Sequence, residues 1–261
     1  MNFDWPWQGG ILDPQGPIGA AERVILLNAT SIMLAVVIPV IVLTLAFAWW
    51  FRAGNARATY LPDWEYSGHI ELVVWAIPAL VVLFLGGICW IGSHDLDPRK
   101  PIASNTRPIE IDVVSLDWKW LFLYRAEGVA AVNRLVVPTG TPLHFRLTSA
   151  TVMNSFFVPQ LGSQIYTMAG MTTQLHLQAD RPGTYPGISA QFSGAGFSDM
   201  RFDVVALPPA EFAAWVAQAR SARDALDEQG YAALARPGTA SATTFRSVTP
   251  HLFETVALGK H

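Results

Sequence analysis

Few side chains in this 261-residue chain can carry redox or metal chemistry. Its one cysteine, Cys89, lies inside an apolar run, so no disulfide forms within the chain and no pair of thiolates can grip a metal. His144, His176, His251 and His261 are scattered with no pair at ligand spacing, and they read as structural or surface residues. Glu71 stands at the edge of a long apolar segment. An acid there can relay protons beside a partner, or it can serve only as a helix-start charge that favours the positive end of the dipole. In "DWKWLFLY", Asp117 to Tyr124, alternation puts Trp118 and Trp120 on one face of a strand, as core or membrane-interface anchors. Met200 offers one thioether, which cannot hold a metal ion alone and packs well as an adaptable core filler.

The elements that position these residues change character along the chain. From Val24 to Phe51 there are 28 residues without a charge, and from Leu72 to Ser93 another 22, closed by His94, Asp95 and Asp97. About 20 apolar residues cross about 30 Å of hydrocarbon, so both runs read as transmembrane helices, over about 24–51 and 70–93. The first run is too long for a signal peptide and lacks a basic leader and a small-residue cleavage pattern. Arg52 and Arg57 in the short connection put that loop on the cytoplasmic side, and with it both termini and the large domain outside. After "DPRKP", short alternating or β-branched runs between turn signals over Pro108 to Pro208 fit a small sandwich or barrel. From Ala210 the chain turns Ala-rich with helical periodicity, and two or three helices are expected there. The expected divisions are therefore 1–23 outside the membrane, 24–96 as a helical hairpin, 97–208 as an all-β domain and 209–261 as a short helical tail. A net charge of -3 gives no broad cationic field, and no nucleic-acid partner is expected.

A helical hairpin followed by a β domain resembles subunit II of the haem–copper oxidases, and two motifs make the match specific. "VMNSFFVP", Val152 to Pro159, is similar to the stretch where a copper-ligating His precedes Ser and an aromatic residue; that position is Asn154 here. "GISAQFSGAGFSDM", Gly187 to Met200, resembles the family's copper loop, Gly-x-Cys-x-Glu-x-Cys-Gly-x-x-His-x-x-Met. The resemblance puts the bridging thiolates at Ser189 and Ser193, the carbonyl-ligating Glu at Gln191 and the second His at Phe197, leaving Met200 unchanged. Serine hydroxyls are hard and un-ionised near neutral pH, and phenylalanine has no lone pair, so no metal is expected here. The "DWKWLFLY" strand likewise resembles the aromatic strand that receives electrons from cytochrome c in that family.

Within the superfamily the chain is most similar to the bo-type ubiquinol oxidases of bacteria, from about Leu12 into the carboxy-terminal tail. The resemblance implies a cupredoxin-like sandwich without its copper, in a complex that oxidises ubiquinol, reduces oxygen to water and translocates protons across the inner membrane. It implies two haems and one copper in subunit I, further subunits III and IV, ubiquinol reached through subunit I, and no role for cytochrome c. "HIELVVWAIP", His69 to Pro78, resembles the Glu-x-x-x-Trp-x-x-Pro start of the family's second helix, which makes Glu71 the proton-entry candidate. Many members begin with a lipoprotein signal ending in Cys, which has no counterpart here; a late start codon and a branch without the lipid anchor both account for it. An independent cupredoxin carrier or copper chaperone, and a structural or signalling membrane protein, are the competing classes. The first is opposed by the missing Cys and His, and the second would be excluded by co-purification with a haem-bearing subunit.

Overall fold

The computed structural model describes residues 10–59 and 61–259. It forms two compact units, Val24–Asp95 and, separately, the residues before Val24 together with those from Leu96 onward.

The first unit is a helical hairpin. Helices α1 (Pro17–Trp50) and α2 (Gly68–Asp95) are apolar all round, and no residue in the most apolar stretch of either is buried against the rest of the chain. At 1.5 Å per residue they are about 51 and 42 Å long, more than hydrocarbon thickness requires. α1 begins earlier than its uncharged run because Pro17 supplies a preset first helical position, and Glu22 and Arg23 are then carried in its early turns. Pro39 and Pro78 stay inside continuous helix. Ser31 and Thr44 return their hydroxyl protons to Leu27 and Val40 carbonyls at 2.8 and 2.7 Å, which satisfies them where no water competes. Where the helices meet, a Cβ on Gly92 would lie 2.7 Å from Ile25 Cδ1, so close packing there requires glycine.

The second unit is a two-sheet sandwich. One sheet runs in the order β11-β3-β2-β1-β5-β8, from β1 (Ile109–Leu116), β2 (Lys119–Tyr124), β3 (Val129–Val132), β5 (Leu143–Ser149), β8 (Thr173–Leu177) and β11 (Thr243–Phe245). The other runs β4-β10-β9-β6-β7, from β4 (Arg134–Pro138), β6 (Asn154–Val158), β7 (Gly162–Thr167), β9 (Gly183–Ser189) and β10 (Arg201–Leu207). Between them lies an aromatic core in which Trp120, Phe122, Phe145, Phe156 and Phe202 are at most 3% exposed.

A second core lies outside the first sheet. Val114, Leu116, Leu121, Leu123, Ala130 and Val132 point away from the aromatic core and are covered by Leu226, Tyr231, Leu252, Phe253 and Val256 of the carboxy-terminal segment. That segment contains the expected helices, α3 (Pro209–Arg220), α4 (Glu228–Leu234) and α5 (Leu252–Ala257), and in addition β11, which pairs with β3 through Thr244↔Ala131. Strands β2 and β3 are consequently buried on both faces and, apart from Lys119, read as continuous apolar runs, whereas β7 and β10 keep an alternating pattern. Polar contacts pin the cover. The buried Lys119 ammonium donates to the Leu234 and Arg236 carbonyls at 2.9 and 2.6 Å, and burial lowers its pKa against the opposing influence of Asp117. Arg146 holds both oxygens of Asp112 at 2.7 Å and reaches Glu254 of α5 at 2.9 Å.

Residues ahead of the first uncharged run also belong to this unit. Gln15 and Gly19 donate backbone N–H groups to the Gln160 and Leu161 carbonyls, and Glu22 accepts from both the N–H and the hydroxyl of Ser163. A Cβ on Gly16 would lie 2.0 Å from the Gln178 carbonyl oxygen, so this docking depends on glycine.

Candidate functional site

The positions that resemble copper ligands converge at one end of the sandwich. Asn154 opens β6 and Ser189 closes β9, and the two strands pair through Phe156↔Ser189. The chain then loops through Gln191 and Ser193, makes a 3-10 turn at Phe197–Asp199, and enters β10 beside Met200, whose carbonyl accepts from Ser189 N–H at 3.2 Å. Register and loop length therefore gather residues that lie far apart in the chain.

Their side chains form two hydrogen-bonded groups, one around Ser189 and Asn154 and one between Ser193 and Met200. The Ser189 hydroxyl lies 3.0 Å from Asn154 Oδ1 and 3.3 Å from the Gln191 carbonyl, and its single proton is shared between them. Asn154 donates through Nδ2 to the Val152 carbonyl at 3.2 Å. The Ser193 hydroxyl donates to Met200 Sδ at 3.8 Å. Asn154, Ser189 and Met200 are 1%, 4% and 1% exposed. Phe197 joins none of these bonds; its ring packs edge-on against Phe192 at 5.6 Å.

Trp118 roofs the loop, from a place that differs from the expected one. It lies not on a strand but in the two-residue turn between β1 and β2, with φ +64°, while Trp120 is sealed in the aromatic core. Left-handed backbone at a bulky residue is strained. It is held by the indole, which donates to the Ser193 carbonyl at 3.3 Å and lies so close to the loop that a Cβ on Gly196 would meet the ring at 2.4 Å. Gly187 is similarly required, since a Cβ there would meet the Phe202 ring at 2.2 Å.

A dinuclear copper centre does not fit this donor set. It needs thiolate bridges and imidazoles, and the residues gathered here are two hydroxyls, an amide, a peptide carbonyl, a thioether and a phenyl ring. Both hydroxyl hydrogens and one Asn154 amide hydrogen already have acceptors, in Asn154 or Gln191, Met200 and Val152. Among the described residues no three His, Cys, Asp or Glu are placed to hold an ion.

Two other groups complete the inventory. Glu71 sits in the first turn of α2, exposed, with its carboxylate accepting from Trp75 Nε1 at 3.0 Å. The histidines depart from the scattered pattern of the sequence: strand register sets His144 of β5 opposite His176 of β8, and the rings stack at 4.5 Å and 8°. His144 Nδ1 engages Glu110 at 2.8 Å and His176 Nδ1 engages the Pro98 carbonyl at 3.1 Å. Burial lowers the His176 pKa, the Pro98 hydrogen bond opposes this, His144 lowers it further and Glu110 raises it. They are 32 residues apart in sequence, so only β5–β8 pairing reveals the contact. His251 lies at the start of α5 with φ +62°, and His261 lies outside the described residues.

Comparison with known proteins extends this geometry. Residues 104–207 match the family model for cytochrome c oxidase subunit II, periplasmic domain. Ubiquinol oxidase subunit 2 of Acetobacter aceti is 49% identical over 94% of this chain and 81% of its own. Cytochrome bo(3) ubiquinol oxidase subunit 2 of Pseudomonas aeruginosa is 50% identical over 93% of this chain and 74% of its own. Among solved structures, the periplasmic domain of subunit II of cytochrome oxidase from Bradyrhizobium japonicum aligns over 46% of this chain and 98% of its own, with a TM-score of 0.43 and 20% identity. With half of its residues shared across nearly its whole length, the chain belongs to the ubiquinol oxidase subunit 2 family.

Proposed function

We propose that this chain is the subunit II of a bacterial quinol oxidase that has no redox centre of its own. The complex oxidises ubiquinol, reduces oxygen to water and moves protons across the inner membrane; electrons enter through subunit I, which carries two haems and a copper, and subunits III and IV complete the assembly. The hairpin anchors the chain in the bilayer with both termini and the β domain on the periplasmic side, and the domain caps the haem-bearing subunit. Glu71 lies at the opposite, cytoplasmic, surface and serves proton entry.

The observation that carries this reading is the loop from Gly187 to Met200, which keeps the glycines of a copper cage while filling it with hydrogen-bonded hydroxyl and amide groups. Without soft ligands the chain cannot accept single electrons from a soluble cytochrome. The same end of the domain exposes Val152, Met153, Met171 and Phe192, at 48%, 38%, 51% and 73%, an apolar rim suited to covering another protein.

The test is purification of the tagged chain in mild detergent, with haem spectra, copper analysis and oxygen uptake. Haem should co-purify, and uptake should follow ubiquinol but not reduced cytochrome c. Two coppers bound to this chain, or turnover with cytochrome c as donor, would overturn the proposal.

A further inference from the structure

We infer that Trp75 is a positioning residue for Glu71, holding one oxygen of the carboxylate so that the other is free to exchange protons; this rests on the reading of Glu71 as a proton-entry group. Trp75 Nε1 donates to Glu71 Oε2 at 3.0 Å from one turn further along α2. The spacing of four residues puts the two side chains on the same face of the helix.

The sequence around the pair leaves the carboxylate few alternatives. From Leu72 to Gly87 no residue other than Trp75 carries a side-chain N–H or O–H. A carboxylate where hydrocarbon begins is costly unless it has donors, and an indole is well suited there because its ring lies in the interface while its N–H stays polar. Glu71 is also anchored through its backbone, whose N–H donates to the Ser67 carbonyl at 2.9 Å. With the main chain in the first turn and Oε2 on the indole, the hydrogen bond favours the rotamers that reach Trp75 over the others. Oε1 then ranges over fewer positions. A group that relays protons must bring its oxygen within about 2.6–3.2 Å of donor and acceptor, so restricted wandering raises the fraction of productive encounters. The neighbouring His69 lies on the other side of Glu71 in sequence and cannot substitute for a donor one turn inward.

The test uses the intact oxidase with Trp75→Phe, Glu71→Gln and the double substitution. Phenylalanine keeps an aromatic ring, smaller than the indole, and removes the N–H; the double substitution separates the lost volume from the lost donor. With haem content unchanged, W75F should lower ubiquinol-driven turnover about two- to fivefold and move the alkaline limb of its pH profile, while E71Q slows it more. In the E71Q background W75F should have no further effect. Slow turnover of E71Q beside parental rate and pH profile of W75F would overturn the positioning role alone. Parental turnover of E71Q would overturn the reading of Glu71 itself. Equal slowing by W75F in both backgrounds would show a packing role and also overturn the inference.

Discussion

Replacing Ser189 with alanine removes the hydroxyl that occupies Asn154 Oδ1 and the Gln191 carbonyl, and leaves a 1%-exposed amide oxygen with no donor. An unsatisfied buried acceptor costs about 1–3 kcal/mol. With a urea slope of about 2 kcal/mol per molar, the midpoint for unfolding of the β domain should fall by roughly 1 M. Substituting Asn154→Leu alone is milder. Val152 keeps an acceptor's partner because Ser149 Oγ donates to it at 2.6 Å, and Ser189 keeps Gln191. Combining the two removes the acceptor together with its donor, so the double variant should lose less than the sum of the singles, by about 1 kcal/mol or more. Urea unfolding of the full chain in detergent, followed by near-ultraviolet circular dichroism, reads this out, because Trp118 contacts the loop and Trp120 lies in the core beneath. In the intact oxidase the double variant should retain quinol-driven oxygen uptake. Strict additivity would show that Ser189 and Asn154 do not depend on each other. Loss of turnover in a stable double variant would show that these polar groups carry chemistry rather than fill a former cage.

Arg146→Met should destabilise the domain by about 3 kcal/mol, the lower end for stripping a partner from a buried charge, because the guanidinium is partly hydrated. Asp112, 6% exposed at its side chain, would keep only Arg125 at 3.8 Å, and α5 would lose its hold through Glu254. Thermal unfolding with limited proteolysis near α5 checks both effects; an unshifted transition would refute them. Stability should also fall with acid through the histidine stack. The folded pKa of His176 is below its unfolded value of about 6.5, so its contribution is complete above that pH and declines below it, by at most about 1.4 kcal/mol per pH unit for one proton. Stacked against it are His144, and beyond that Glu110, whose carboxylate also lies 3.7 Å from Arg125. His176→Gln should flatten urea midpoints measured between pH 7.5 and 5.5, and an equally steep loss in that variant would assign the proton elsewhere.

By itself the sequence determined what depends on local composition and on the identity of single side chains. Two uncharged runs longer than a bilayer is thick could be counted from residue types, and helices α1 and α2 contain them with ends moved by Pro17 and the polar margins. The Gly187–Met200 loop was legible because glycine spacing sets its backbone, and because Ser, Gln and Phe cannot acquire thiolate or imidazole chemistry from any fold. The tertiary structure decided what depends on pairings between distant segments. Trp118 looked like a strand residue because alternation cannot register a two-residue turn, and its left-handed backbone is held only by contacts to Ser193 and Gly196. His144 and His176 became neighbours through strand register, and β2 and β3 became double-sided through the cover supplied by a segment about a hundred residues later. Such contacts join groups whose separation along the chain carries no signal, so the free energy that selects them exists only once the sheets have formed.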